Sequence, residues 1–183
     1  MEWVIPGTVL TARREDAGDV QAQFSSLFLA GGIVLSQVCG ITGLEAYTVQ
    51  NWVKRGFLSP PERKRYTLRQ LCRIININML KTVFPMERIC SLMTYINGSL
   101  DDESDDLIDD SSLYFMFVRL AARLEPAGTP GQWDTAIAEE LASYREPVPG
   151  AGRRVGQVLR VMLTAWTSAQ LRSEAEKMLE ELV

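Results

Sequence analysis

The sequence predicts an all-α fold with one small β element, and two observations support this prediction. Apolar residues recur at helical spacing along most of the chain, as from Leu68 to Val83, and breaks that contain glycine or proline separate the helical segments. No segment shows the sustained apolar–polar alternation that a half-buried sheet requires. With 183 residues, 46% of them hydrophobic, the chain is long enough to bury a sizeable core.

The composition excludes several kinds of chemistry. The chain has no histidine, which removes the commonest general base, the commonest zinc ligand and every nucleophile that a histidine activates. Cys39, Cys72 and Cys90 lie far apart within helical patterns, which predicts reduced, buried thiols. The apolar run from Phe24 to Leu35 is too short to span a bilayer. We therefore expect a cytoplasmic protein without a metal, a cofactor, a membrane anchor or a catalytic site.

The net charge of −4 hides a basic segment and an acidic segment whose charges largely cancel. Between Leu35 and Lys81 there are eight basic and two acidic residues, a local balance of +6. Between Asn97 and Ser112 there are seven acidic residues and no basic one, a balance of −7. A clustered basic segment is typical of a nucleic-acid-binding surface.

The basic segment contains the pattern of a winged helix-turn-helix. Ser36 can cap a short helix, Gly43 supplies a tight turn, a second helix runs from Ala46 to Arg55, and Gly56 ends it. The arginine-rich stretch 57–66 then predicts a short hairpin, the wing. In such domains the second helix enters the DNA major groove and the wing contacts the backbone. The apolar face of the second helix consists of Val49, Trp52 and Val53, so we expect Trp52 to lie in the core.

The flanking segments are mostly helical. The N-terminal residues 1–18 predict a loose arm or a peripheral strand, and Asp19 to Ala30 a helix. Thr67 and Gln70 form a capping box that opens a helix to about Val83. Further helices are predicted from Pro85 to Ile96, from Ser111 or Ser112 to about Leu124, from Trp133 to Tyr144 and from Arg153 to Leu182, with breaks at 126–131 and 147–152.

The motif region resembles the DNA-binding head of MerR-type regulators. Those heads begin with an apolar residue and a short helix, then a Thr-Gly turn, a recognition helix that ends in an aromatic residue, and a wing that closes on Arg-Tyr. The strings GGIVLSQV, QNWVKRG and YINGSLDDESDD also resemble an uncharacterised family of bacterial domains of unknown function with a MerR-like head. The matching positions are Leu35, Val38, Ile41, Thr42, Gly43, Val49, Trp52, Gly56, Leu58, Pro60, Arg65 and Tyr66.

The resemblance covers about sixty residues and implies a division of the chain. We expect an N-terminal arm and helix (1–34), a winged helix-turn-helix domain (35–97), an acidic linker (98–110) and a helical C-terminal region for packing or dimerisation (111–183). The C-terminal region departs from MerR-type activators, which continue into a long coiled-coil helix and an effector pocket. Coiled-coil dimerisation and metal sensing are therefore not carried over.

The expected function is sequence-specific binding of double-stranded DNA by a homodimer, as a MerR-like transcriptional regulator. Glutamine and asparagine can read adenine edges, and the cations of the second helix and the wing can contact phosphate. An alternative is a protein-interaction adaptor that keeps the scaffold without binding DNA. The candidate DNA-binding residues are Tyr47, Thr48, Gln50, Asn51, Lys54, Arg55, Arg63, Lys64, Arg65 and Tyr66.

The acidic segment has two interpretations. It can be an exposed linker whose last residues favour the N-terminus of the next helix. It can also contact a basic surface, on a partner or on the DNA-binding face of the same chain, and so compete with phosphate. The sequence leaves both open.

Overall fold

A computed structural model describes residues 2–100, 102–124 and 130–182. Within these residues the chain is mostly helical, as predicted, with one two-stranded antiparallel sheet. None of the helices described is both long enough and apolar enough to cross a membrane. The strands are β1 (Glu2–Val4) and β2 (Thr11–Arg13), and the helices are α1 (Val20–Ser26), α2 (Leu35–Thr42), α3 (Ala46–Lys54), α4 (Leu68–Leu80), α5 (Met86–Asn97), α6 (Asp110–Arg123), α7 (Pro130–Leu141) and α8 (Ala151–Glu180).

Helix α4 is the centre of the fold. Thr67 and Gln70 form the predicted capping box: the Thr67 hydroxyl accepts from the Gln70 N–H at 3.2 Å, and the Gln70 side chain accepts from the Thr67 N–H at 2.9 Å. The helix lies against α2, α5, α6 and α8, so the seven residues 71–77 are all buried. Burial includes two polar side chains, Arg73 and Asn76, whose partners are described below.

The N-terminal segment is a hairpin that docks on α4, where the sequence predicted a loose arm or a peripheral strand. Strands β1 and β2 pair around a turn in which Gly7 has a φ of 74°. A Cβ at Gly7 would approach Ile75 to 2.7 Å, so only glycine fits this contact. The Asn78 amide donates to the carbonyl oxygens of Gly7 at 2.9 Å and Thr42 at 3.0 Å, which ties the hairpin and α2 to α4.

Several helix ends differ from the prediction. Helix α1 ends at Ser26, and turns carry the chain on to Gly31. Helix α6 is capped by Asp109, because its carboxylate accepts from the N–H groups of Ser111 at 2.9 Å and Ser112 at 3.1 Å. The predicted caps, Ser111 and Ser112, are therefore inside the first turn. Residues 126–129 of the predicted break at 126–131 lie outside the described residues.

The C-terminal helices α6, α7 and α8 share one apolar core with the N-terminal elements. Residues from Trp3 to Trp166 contribute to one apolar cluster, which includes Leu107 and Ile108 from the acidic segment. The predicted apolar face of α8, with Val155, Met162 and Trp166, is buried. Beyond Thr167, by contrast, α8 extends away from the cluster, and its described side chains are exposed apart from the half-buried Ala169.

Candidate nucleic-acid interface

Helices α2 and α3 are joined by the tight turn that the sequence predicted at Gly43. Gly43 ends α2 with a φ of 70°, and its N–H donates to the Cys39 carbonyl oxygen at 2.8 Å. The Thr42 hydroxyl donates to the Val38 carbonyl oxygen and accepts from the Leu44 N–H, which closes the turn. The expected cap at Ser36 is wrong, because α2 begins at Leu35 and the Gln37 side chain accepts from the Val34 N–H.

Helix α3 presents a polar face to solvent. Val49 and Trp52 are buried, with Trp52 4% exposed, so its predicted place in the core is confirmed. The Arg55 guanidinium lies over the Phe57 ring at 4.6 Å, which holds this cation at the end of the helix. Thr48 is half-buried and Tyr47 is 71% exposed. The other exposed candidates on or next to α3 are Gln50, Asn51, Lys54 and Arg55.

The wing, residues 57–66, is a tight turn rather than a hairpin of two strands. Gly56, with a φ of 73°, turns the chain out of α3 as predicted. The Arg65 N–H donates to the Glu62 carbonyl oxygen at 2.8 Å across a two-residue turn. The two central residues, Arg63 and Lys64, have φ values of 47° and 64°. Both are exposed, and positive φ is unfavourable for residues with a Cβ, so the turn holds two cations at a cost in backbone energy.

The end of the wing is anchored by a backbone pairing between the residues that precede α2 and α4. Ile33 and Tyr66 exchange both backbone hydrogen bonds, at 3.0 and 2.8 Å. The Arg65 side chain donates to the Gly32 carbonyl oxygen at 2.9 Å and is otherwise exposed. Tyr66 is only 3% exposed, so its side chain is largely packed in the core, although it also lines the groove described next. It is the most buried of the candidate residues.

A groove separates α3 from the wing. It has a volume of about 650 Å³, and we call it the helix–wing groove. Gln50 and Lys54 line it from α3, and Lys64 lines it from the wing turn. Two separate segments of the sequence thus place hydrogen-bonding and cationic side chains on one surface. The apolar part of the lining consists of Val34, Leu35, Val53 and Pro61.

Two cations of the basic segment face inward and do not belong to this surface. The Arg69 Nη2 atom lies 2.5 Å from an Asp106 carboxylate oxygen, and its Nε atom lies 3.8 Å from Asp110. The Arg73 Nη1 atom lies 3.3 Å from the same Asp110 oxygen, and its Nε donates to the Phe57 carbonyl oxygen at 3.1 Å. The local balance of +6 therefore overstates the charge that faces solvent.

The acidic segment, residues 98–110, is only partly an exposed linker. The side chains of Asp106 and Asp110 are 8% and 1% exposed. Burial raises the pKa of Asp106 to about 6 and also raises the pKa of Asp110, although the nearby arginines oppose both shifts. Asp109 lies at the N-terminus of α6, which confirms that the last residues of the segment favour the next helix. Asp101 lies outside the described residues.

The sequence left open that the acidic segment contacts a basic surface of the same chain, but it did not identify the residues of this inward-facing network. The arginines and their aspartate partners are 37 positions apart, so only the charge imbalance between the two segments hinted at their contact. Among the residues that the structure describes, no three acidic, cysteine or histidine side chains are close enough to hold a metal ion. Cys72 is buried as predicted, whereas Cys39 and Cys90 are half-buried.

Part of the chain matches a family model of unknown function. Residues 34–117, from the start of α2 into α6, match the family model described as a domain of unknown function, DUF1836. The chain is 22% identical over 163 residues to the uncharacterized protein YkrK of Bacillus subtilis (strain 168), which covers 82% of this chain and 70% of that protein. No solved structure matches significantly. Together the two matches support an uncharacterised domain family, as the resemblance of the sequence suggested.

Proposed function

We propose that this chain binds double-stranded DNA sequence-specifically, as a MerR-like transcriptional regulator without catalytic activity. The observation that carries the proposal is the shared surface of α3 and the wing at the helix–wing groove. Gln50 and Lys54 from the helix and Lys64 from the turn line this groove together. A helix that reads bases beside a turn that contacts phosphate needs this arrangement.

The side chains divide by chemistry. Gln50 and Asn51 are exposed on α3, and their amides can pair with the N6 and N7 positions of adenine. Tyr47 and Thr48, in the first turn of α3, can contact either a base or the backbone. The phosphate contacts are assigned to Lys54, Arg55, Arg63, Lys64 and Arg65.

The order of elements supports the MerR-like part of the proposal. A residue before α2, Ile33, pairs with Tyr66 directly before the capping box of α4, so the wing is tied to both ends of the helix-turn-helix. Helices α4 and α5 then follow, as in the heads that the sequence resembles. The strained cations at Arg63 and Lys64 also support a functional role for the turn, since such conformations concentrate at binding sites.

The partner of the proposed regulator is a second copy of the chain. Leu171, Ala175 and Met178 follow one another at spacings of four and three, which gives a short apolar seam on one face of a helix. All three are exposed on the part of α8 that extends from the core. Pairing two such seams would bury apolar surface and give the two-fold symmetry that a palindromic operator needs.

One observation favours the alternative, a protein-interaction adaptor. The helix–wing groove is walled largely by apolar side chains, including Val34, Val53 and Pro61, and such a wall suits a peptide better than a phosphate backbone. The two functions differ in their dependence on the charges of the wing turn.

A charge reversal in the turn tests the proposal. The double variant Arg63→Glu with Lys64→Glu keeps two residues with side chains in the turn, and Arg65 retains its hydrogen bond to Gly32. The matched control reverses Arg145 and Arg153, which are exposed at the α7–α8 connection and the start of α8. Duplex affinity is measured by fluorescence anisotropy across a series of salt concentrations.

We expect the turn variant to bind duplex DNA at least tenfold more weakly. The slope of log K against log salt should fall by about 1 for each lost phosphate contact. The control should lose neither affinity nor slope. Equal losses in both variants would show only a non-specific effect of net charge and would contradict the proposed interface.

A further inference from the structure

A groove between α5 and α8 leaves apolar surface open to solvent. It has a volume of about 480 Å³, and we call it the α5–α8 groove. Val161 in its lining is 37% exposed, and Phe84 and Leu92 are half-buried. None of the residues that line it also lines the helix–wing groove, so it is separate from the proposed DNA interface. The lining consists of Phe84, Pro85, Arg88, Leu92 and Val161.

Two contacts hold α8 beside α5, one towards each end of this groove. The Tyr95 hydroxyl, near the end of α5, donates to the Gln157 side-chain oxygen at 3.0 Å. Before α5 begins, the Thr82 carbonyl oxygen accepts from the Arg172 guanidinium at 3.3 Å. The groove between these contacts is therefore a formed feature of the fold.

The end of α8 has an apolar face that nothing in the described residues covers. We call residues 171–182 the α8 end. Leu171 is 52% exposed, and Met178 and Leu179 are each 62% exposed. Leu179 is 18 positions after Val161, which is about five turns at 3.6 residues per turn, so both lie on the same side of α8. The exposed apolar face thus continues the wall of the groove.

A single chain cannot bring the α8 end into its own groove. Helix α8 is continuous from Ala151 to Glu180. With a rise of 1.5 Å per residue, Leu179 lies roughly 27 Å along the helix from Val161. An α8 end that occupies the groove must therefore come from another molecule.

The groove and the α8 end have opposite charge. Arg88 is the one charged residue in the lining of the groove, and within the described ranges it has no ion pair. The α8 end contains four acidic and two basic residues. Its Glu174 and Glu181 lie about one turn before and after Met178, and neither has an ion pair among the described residues. Complementary charge of this kind selects the partner and its orientation.

We propose that the α8 end of one copy docks in the α5–α8 groove of a second copy, which returns the same contact. If the two-fold axis passes near Gln170, Met178 and Leu179 of one copy reach Val161 of the other. The apolar side chains then fill the groove, and the flanking carboxylates lie near Arg88. This contact does not depend on DNA binding, and it supplies the two-fold symmetry that the proposed function needs.

The first test measures the dimer dissociation constant by analytical ultracentrifugation of the full chain without DNA. Met178→Glu changes the α8 end, and Val161→Glu changes the groove. The matched control, Leu29→Glu, places the same charge at a residue that is 89% exposed and belongs to neither surface. We expect a dimer whose dissociation constant rises at least tenfold in each of the first two variants, because a charge would be buried in an apolar contact. The control should dimerise like the unmodified chain.

A charge exchange tests the groove with residues that are fully accessible in the monomer. Arg88→Glu should weaken the dimer at low salt, because it places like charges together. Adding Glu174→Arg and Glu181→Arg to this variant should restore the affinity. Arg145→Glu, an equal charge reversal at an exposed residue outside the groove, should have no effect.

Three results would overturn the proposal. The first is a chain that stays monomeric at its highest soluble concentration. The second is a dimer that Met178→Glu weakens but Val161→Glu and Arg88→Glu do not, since its α8 ends would then pair without the groove. The third is a charge exchange that fails to restore the dimer. A dimer that binds no duplex would refute the proposed function instead and would leave this contact in place.

Discussion

Relieving the strain of the wing turn should make the protein more stable and the interface weaker. The change replaces Arg63 with Asn and Lys64 with Gly, the pair that two-residue turns with two positive φ values prefer. Arg63 and Lys64 now have φ values of 47° and 64°. A left-handed conformation costs a residue with a Cβ about 1–2 kcal/mol, and replacing Lys64 with glycine removes this cost. Glycine has more conformational freedom in the unfolded chain, which lowers the gain in stability by roughly 0.5–1 kcal/mol. Asparagine at position 63 adds a smaller gain, so the free energy of unfolding should increase by about 1 kcal/mol in total.

Urea denaturation measures this gain, and anisotropy measures duplex affinity on the same samples. For a chain of this length, 1 kcal/mol corresponds to a rise of about 2–4 °C in melting temperature. If the proposed function holds, duplex affinity should fall, because the two phosphate contacts proposed for Arg63 and Lys64 are removed. A single variant, Lys64→Gly, should keep most of the stability gain while it retains the charge of Arg63. Unchanged or reduced stability of both variants, relative to the unmodified chain, would refute the account of the turn.

Three further predictions concern the turn of the helix-turn-helix, the buried acid and α8. Gly43→Ala should destabilise the fold by about 1–3 kcal/mol in urea denaturation, because a Cβ at this left-handed residue would lie 2.6 Å from Val9. The control, Gly40→Ala, lies inside α2 with open space around it and should be neutral or stabilising. The raised pKa of Asp106, about 6, means that the folded chain binds this proton more tightly than the unfolded chain. The free energy of unfolding should therefore fall as the pH rises from about 4 to about 6. A pH series of Asp106→Asn should show a smaller fall, because Asp110, whose pKa is also raised, remains. Leu171→Glu should convert a dimer into a monomer of unchanged helicity, as measured by light scattering and circular dichroism, and a monomeric unmodified chain would contradict the proposed seam.

Local signals predicted the helix ends and turns from α2 to α4 well, because each depends on residues close in sequence. The capping box at Thr67 and Gln70 and the left-handed glycines Gly43 and Gly56 lie where the sequence placed them. The core position of Trp52 followed from helical periodicity alone. These features need only a few neighbouring residues to be satisfied, so one sequence is enough to find them.

Contacts between distant segments were not predictable in the same way. The ion pairs of Arg69 with Asp106 and of Arg73 with Asp110 each join residues 37 positions apart. Charge counting included both arginines in the basic segment but could not show that they face inward. Tyr66 was assigned to the interface because it follows Arg65, yet its pairing with Ile33 turns its side chain into the core. The paired strands Glu2–Val4 and Thr11–Arg13 are too short to show an alternating pattern.

The central claim is that α3 and the wing read a DNA sequence, and selection from genomic DNA tests it most directly. The purified chain is incubated with sheared genomic duplex fragments at increasing salt, and the retained fragments are sequenced. The account predicts an enriched, palindromic motif that persists at salt concentrations where bulk DNA is released. Retention without any enriched motif, or no retention at low salt, would contradict it and favour the protein-interaction adaptor.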